Sequence, residues 1–277
     1  MKHENGNIAM SSHIKRWITA LVIVPALFAA IIYGSELVFA IIVMVLTLGA
    51  VVEYNAMVFK KGALWEKSEG IIVGIFIPLA AFIGAIQLMF ATTTFAVIII
   101  FLLFLFRLKD NSSDITDLTK VIFGLMYIPV MISYIILIRN GENGLLWVFF
   151  IIVLAFSGDV SAYYVGKSMG RKKLMPSVSA GKTVEGTLGL IGGSIIGCVI
   201  FMLIFFRELS FIHAILLGLT GSILGQLGDL CESSIKRTFQ VKDSGFLLPG
   251  HGGVLDRLDS LIFIIPFVYY FNIFVIQ

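Results

Sequence analysis

The chain has 277 residues, 58% of them hydrophobic and 13% charged, with a formal net charge of +3 and a mean hydropathy of +1.01. A soluble domain carries about 25% charged residues, so this composition excludes a soluble globular enzyme and points to a chain that crosses a membrane repeatedly. The small positive balance sits in loops between apolar runs, which excludes a basic nucleic-acid-binding domain, and no nucleic acid is expected as a partner.

Runs of about 20 apolar residues are long enough to span a bilayer. Taken in chain order they predict nine helices, near Trp17–Tyr33, Leu37–Val58, Gly70–Phe90, Thr92–Arg107, Leu118–Ile138, Leu145–Val165, Gly186–Phe206, Phe211–Leu230 and Ser260–Ile276. The fourth is short, and the sixth is interrupted by Ser157, Gly158 and Asp159. The expected fold is all-α: one polytopic integral membrane bundle of about nine transmembrane helices over residues 1–277. Phe28-Ala29-Ala30 offers a weak cleavage site behind Lys15-Arg16, but the first helix is read as retained, because the distribution of basic residues works with it in place. With nine helices, all 20 Lys and Arg except Arg139 and Arg207 fall on one side of the membrane. The positive-inside rule then makes the N-terminus and the charged loops cytoplasmic, in an inner (plasma) membrane. Cys198 and Cys231 are isolated and read as packing residues. Residues 1–140 hold few polar groups within spans and read as scaffold, whereas 141–277 carry nearly all the chemistry.

Asp159 falls inside the sixth helix, where an ionised carboxylate costs at least about 2.5 kcal/mol unless it meets water, a cation or a partner. It is read either as the wall of a polar cavity or as a structural acid paired to Lys167. The loop Arg171–Gly186 contains Ala180-Gly181-Lys182-Thr183, but Pro176 stands where a Walker A loop needs glycine, so a P-loop is rejected. Ser179, Gly181, Lys182 and Thr183 instead stand at a helix start suited to an anion, with a capping motif that includes Glu185 as the plainer alternative. Gly189, Gly193 and Gly197, and likewise Gly221 and Gly225, recur every fourth residue and predict close helix packing.

Asp229, Glu232 and Lys236 share one face of a helix, and Asp256 and Asp259 share one face at the start of the last. Asp229 and Asp256 are expected to meet at the cytoplasmic edge and ligate Mg²⁺, with Asp259, Glu232 and Asp243 around them; ion pairs with Lys236, Lys242 and Arg257 are the competing reading.

The stretch Ser233–Asp259 combines these features. Ser233, Ile235, Lys236, Arg237, Lys242, Asp243, Gly245, Pro249, His251, Gly252, Gly253, Asp256, Arg257 and Asp259 match, without departure, a pattern that resembles the signature of the phosphatidate cytidylyltransferase (CDP-diacylglycerol synthase) family. The resemblance covers the C-terminal half by motif and the N-terminal half by hydropathy. It implies that CTP and phosphatidic acid are partners, joined to give CDP-diacylglycerol and pyrophosphate. It also implies that the segment around Lys182 lies near the active site. Under that resemblance Asp229, Asp256, Lys236, Arg257 and His251 form the catalytic set. Ser179, Lys182, Thr183, Arg237, Lys242, Gly252 and Gly253 serve the phosphates of both substrates. Mg²⁺ is the expected cofactor; a second, monovalent cation and a homodimer are left open. Two other readings fit a charged membrane bundle: a CTP-dependent polyprenol-type lipid kinase, and an ion-coupled transporter using Asp159, Asp229 and Asp256. The second expects acids at several depths and an inverted repeat, and no repeat is evident.

Overall fold

The computed structural model describes residues 25–59, 63–84, 86–108, 114–247 and 252–276. A helical run over 25–33 precedes eight helices. These are α1 (Glu36–Val58), α2 (Leu64–Ile83), α3 (Ile86–Leu108), α4 (Ile115–Arg139), α5 (Gly144–Met169), α6 (Val184–Phe205), α7 (Phe211–Thr238) and α8 (Leu255–Ile276). Among the described residues, seven of them, all but α2, are long and apolar enough to cross a membrane. α2 carries Glu66, Lys67 and Glu69 in its first two turns. Of the expected first span only 25–33 falls within the described residues.

Three expectations need correction. The third span does not run through to Phe90: α2 stops at Ile83, where Gly84 takes an extended backbone and its N–H closes on the Ala80 carbonyl. The fourth is consequently not short, because α3 takes up the residues beyond and reaches 23. The sixth is not interrupted either, since α5 runs unbroken for 26 residues through Ser157, Gly158 and Asp159.

Local chemistry explains the irregular places. Pro129 has no N–H to donate and its ring crowds the preceding turn. α4 absorbs it by widening into a π-helical turn over Met126–Val130, while the Ser133 hydroxyl donates to the Pro129 carbonyl at 2.5 Å. Between α5 and α6 the expected loop folds into a small antiparallel hairpin, β1 (Lys173–Met175) and β2 (Ser179–Thr183), with Lys173 opposite Thr183 and Met175 opposite Ser179. The Thr183 hydroxyl caps α6 by accepting from the Gly186 N–H at 3.0 Å. Glu185, in the first turn, accepts from the N–H groups of Arg171 and Lys172 and ties the hairpin to the helix.

Small residues set how closely the C-terminal helices approach. Gly158 of α5 lies against Ser194 of α6, while Gly193 and Gly197 of α6 lie against Ser161 and Ser157 of α5. On α7, Gly221 meets Leu154, Gly225 meets Ile264, and Gly228 meets the Asp259 carbonyl of α8. Side chains there would push the helices apart, and membrane helices gain their association largely from such packing. Gly193→Val is therefore expected to destabilise the detergent-solubilised protein by about 1–3 kcal/mol, seen as a lowered Tm. Gly192→Ala, where an added methyl meets nothing within 4 Å, should leave Tm unchanged. Equal effects from the two would contradict this packing.

Candidate active site

The C-terminal end of α5, β2 with the start of α6, the middle of α7 and Ser260 of α8 enclose a cavity of about 410 Å³. All four come together at the hairpin end of the bundle. At the opposite end the loops beside α5 and α6 are joined by Asn143, which donates to Glu208 at 2.6 Å.

Two groups of charges occupy this region. In the first, Lys182 of β2 reaches Asp229 of α7 across the cavity, Nζ to Oδ2 2.5 Å. Asp159 of α5 lines the same cavity, and Asp259 directly precedes Ser260 of its wall. The alternative partner for Asp159, Lys167, stands with its ammonium 5.7 Å from the centre of the Tyr163 ring. In the second group, Lys236 of α7 lies between Glu232, at 2.5 Å, and Asp256 of α8, at 2.7 Å. Glu232 is 1% exposed. Asp256 also accepts from the N–H groups of Ser244, at 3.1 Å, and Gly253, at 2.9 Å.

The expected single face of Asp229, Glu232 and Lys236 thus divides. Asp229 turns to the hairpin, while Glu232 and Lys236 turn to Asp256. The oxygens of Asp256 are engaged by Lys236, Ser244 and Gly253, whereas Asp229 meets Lys182. Among the described residues no group of three or more His, Cys, Asp or Glu side chains is gathered as a ready ligand set.

Of the remaining residues expected at the site that the structure describes, Gly181 and Thr183 line the cavity and the others do not. Arg237 donates to the carbonyls of Val178 and Val241, so its guanidinium latches the hairpin turn to the segment after α7. Thr183 is buried and spends its hydroxyl on the α6 cap. Ser179 is half-buried on β2, and Lys242, Asp243 and Arg257 are exposed. Gly252 has φ +84°, a left-handed conformation that favours glycine. Gly253 has no room for a side chain beside Ser244 and Glu53. His251 lies outside the described residues.

Glu53 of α1 is the residue that sequence reasoning passed over. It is 3% exposed, accepts from the Ser244 hydroxyl at 3.1 Å and the Leu255 N–H at 3.0 Å, and lies in the half of the chain read as scaffold. The available signal was an acid in the interior of a mainly apolar helix, which is by default a candidate for function.

Removing one partner from a buried ion pair leaves a charge uncompensated. Lys236→Met, which strands Glu232 and Asp256, is expected to cost about 3–5 kcal/mol of stability, read by denaturation in detergent. A loss below about 1 kcal/mol, the range of an exposed pair, would contradict the role given to this triad.

Comparison with known proteins agrees with the motif. The chain is 43% identical over 164 residues to the phosphatidate cytidylyltransferase of Bacillus subtilis, a match covering 59% of this chain and 61% of that protein. It is 38% identical over 172 residues to the enzyme of the same name from Staphylococcus aureus (strain COL), covering 61% and 64%. It is also 47% identical over 137 residues to the uncharacterized protein YnbB of Escherichia coli, covering 48% and 44%. The match therefore spans less than two thirds of the length of each of these relatives. The sequence profile of the cytidylyltransferase family matches residues 14–275, nearly the whole chain. The chain belongs to the cytidylyltransferase family.

Proposed function

We propose that the protein is a phosphatidate cytidylyltransferase that converts CTP and phosphatidic acid into CDP-diacylglycerol and pyrophosphate at one face of a membrane. The observation that carries this reading is the cavity lined by Asp159, Lys182 and Asp229, with Lys182 paired to Asp229, in an apolar bundle of this family.

The chemistry needs no nucleophile from the protein. A phosphate oxygen of phosphatidic acid attacks the α-phosphorus of CTP and forms the new P–O bond. The bond from that phosphorus to the oxygen bridging the α- and β-phosphates breaks, and pyrophosphate leaves with the electron pair. Two polyanions must be brought together, so the protein's task is orientation and charge stabilisation. Lys182 is suited to leave Asp229 for a phosphate oxygen, because its ammonium already lies at the cavity wall. Lys236, two turns beyond Asp229 on α7 and fixed by Glu232 and Asp256, keeps a positive charge there without needing to move. Lys242, just after α7, and Arg257, at the start of α8, are exposed and add positive charge there.

The donor set fits a hard divalent cation. Asp159 and Asp229 present carboxylate oxygens to one cavity and Asp259 is within electrostatic reach. Mg²⁺ commonly takes one or two carboxylates and completes its shell with substrate phosphates and water. When bound, Mg²⁺ would neutralise charge on the phosphate oxygens. The concentration of Lys and Arg at the hairpin end supports a cavity facing the cytoplasm from the plasma membrane.

Purified protein given labelled CTP, phosphatidic acid and Mg²⁺ should release pyrophosphate and label the lipid with cytidine monophosphate, and chelation should stop it. Release of CDP with a phosphorylated lipid would instead mark a kinase. Asp229→Asn should lower turnover at least about a hundredfold, the scale of losing one electrostatic stabiliser, with the protein still folded in detergent. Unchanged turnover would remove Asp229 from the site.

A further inference from the structure

Glu53 stands 191 positions from Ser244 in sequence yet touches it, and no motif of the C-terminal half includes it. Its Oε2 accepts from the Ser244 hydroxyl, at 3.1 Å, and from the Leu255 N–H, at 3.0 Å, while Oε1 accepts from the Leu247 N–H, at 3.4 Å. Four residues earlier on the same face of α1, Gly49 lies against Leu247 and Val254. α1 therefore grips the chain on both sides of residues 248–251, with one carboxylate and one gap in its side-chain cover.

Ser244 carries the contact onward. Its hydroxyl donates to Glu53 and its N–H donates to Asp256, the acid that holds Lys236. Gly253 behaves alike: its N–H donates to Asp256 while its Cα packs against Glu53. Polar groups thus run from Glu53 through Ser244 and Gly253 to Asp256 and Lys236. Glu53, Ser244 and Leu255 are all buried, and a buried acceptor that loses its place leaves those donors unsatisfied.

We propose that Glu53 is a positioning residue of the transferase site. By accepting from Ser244, Leu247 and Leu255 it fixes the segment that aligns Asp256 with Lys236, although it touches neither. The effect on turnover rests on the cytidylyltransferase reading above; the effect on the segment does not.

Two measurements on the full-length protein in detergent test this. The first is amide hydrogen exchange. Glu53→Ala should speed exchange at Ser244, Leu247 and Leu255 at least about tenfold, leaving the α6 cap at Gly186 unaltered. The second is steady-state turnover of CTP and phosphatidic acid, assayed at equal distance below each variant's own Tm. Glu53→Ala should lower kcat at least about tenfold with KM for CTP changed less than about threefold. Glu53→Gln, which keeps one acceptor oxygen for Ser244 and Leu255, should recover most of the loss in kcat and in protection at those two residues, while Leu247, facing the amide NH2, stays fast. Thr47→Val, at another buried polar position of α1, should match the wild type. If Glu53→Ala does not fold, Glu53→Gln against Thr47→Val carries the comparison, with smaller shifts of the same sign. Unchanged exchange at Ser244 and Leu255, or altered exchange with kcat within twofold of wild type, overturns the proposal. A wild-type protein that makes no CDP-lipid would overturn the assigned reaction, and the exchange result would then judge the role of Glu53 by itself.

Discussion

Charges cannot remain among apolar helices unless something opposite stands beside them, and the hairpin end of this bundle is organised by that constraint. Lys236 meets two carboxylates, buried Glu232 and half-buried Asp256, and draws α7 onto α8 in doing so. Lys182 and Asp229 do the same between the hairpin and α7, but across a cavity. The two arrangements suit different work. The first is enclosed and has backbone N–H groups added to it, so it resists rearrangement. The second borders open space, so an anion entering the cavity can compete for the ammonium and free a carboxylate for a cation.

Helix packing makes those distances achievable. Lysine side chains are long, but Asp229 and Asp259 are short, and α7 must come close to α8 for both to act in one place. Gly225 and Gly228 allow that approach. The glycine and serine contacts between α5 and α6 in turn bring Asp159 to the cavity wall opposite. Glu53 adds a constraint from the other half of the chain, so the N-terminal helices take part in holding the site as well as surrounding it.

Much of this was legible in the sequence, because intramembrane charge is rare enough to be noticed one residue at a time. Asp159 and Asp229 stood out against apolar surroundings, and Lys182, Lys236 and Asp256 through the motifs that contain them. Ion pairing was one of the two readings, and what escaped was which partner each acid takes. Helical periodicity placed Asp229 and Lys236 on one side of α7, but it could not tell that the hairpin would claim the first and α8 the second. Strands of three and five residues carry too little alternation to be read, so the hairpin looked like a loop. The division between α2 and α3 is hidden because the residues on both sides of Gly84 are equally apolar. Glu53 was hidden by distance along the chain, since local patterns do not report a partner 191 residues away.

The central claim is that Lys182 and Asp229 keep each other's charge satisfied until the nucleotide arrives, and then part. Determining the structure with CTP bound in the cavity tests it most directly. The account predicts that the 2.5 Å contact between Lys182 and Asp229 opens and that the Lys182 ammonium lies within hydrogen-bond distance of a phosphate oxygen, while Lys236 keeps both of its carboxylates. Bound CTP with the Lys182–Asp229 pair intact would contradict it.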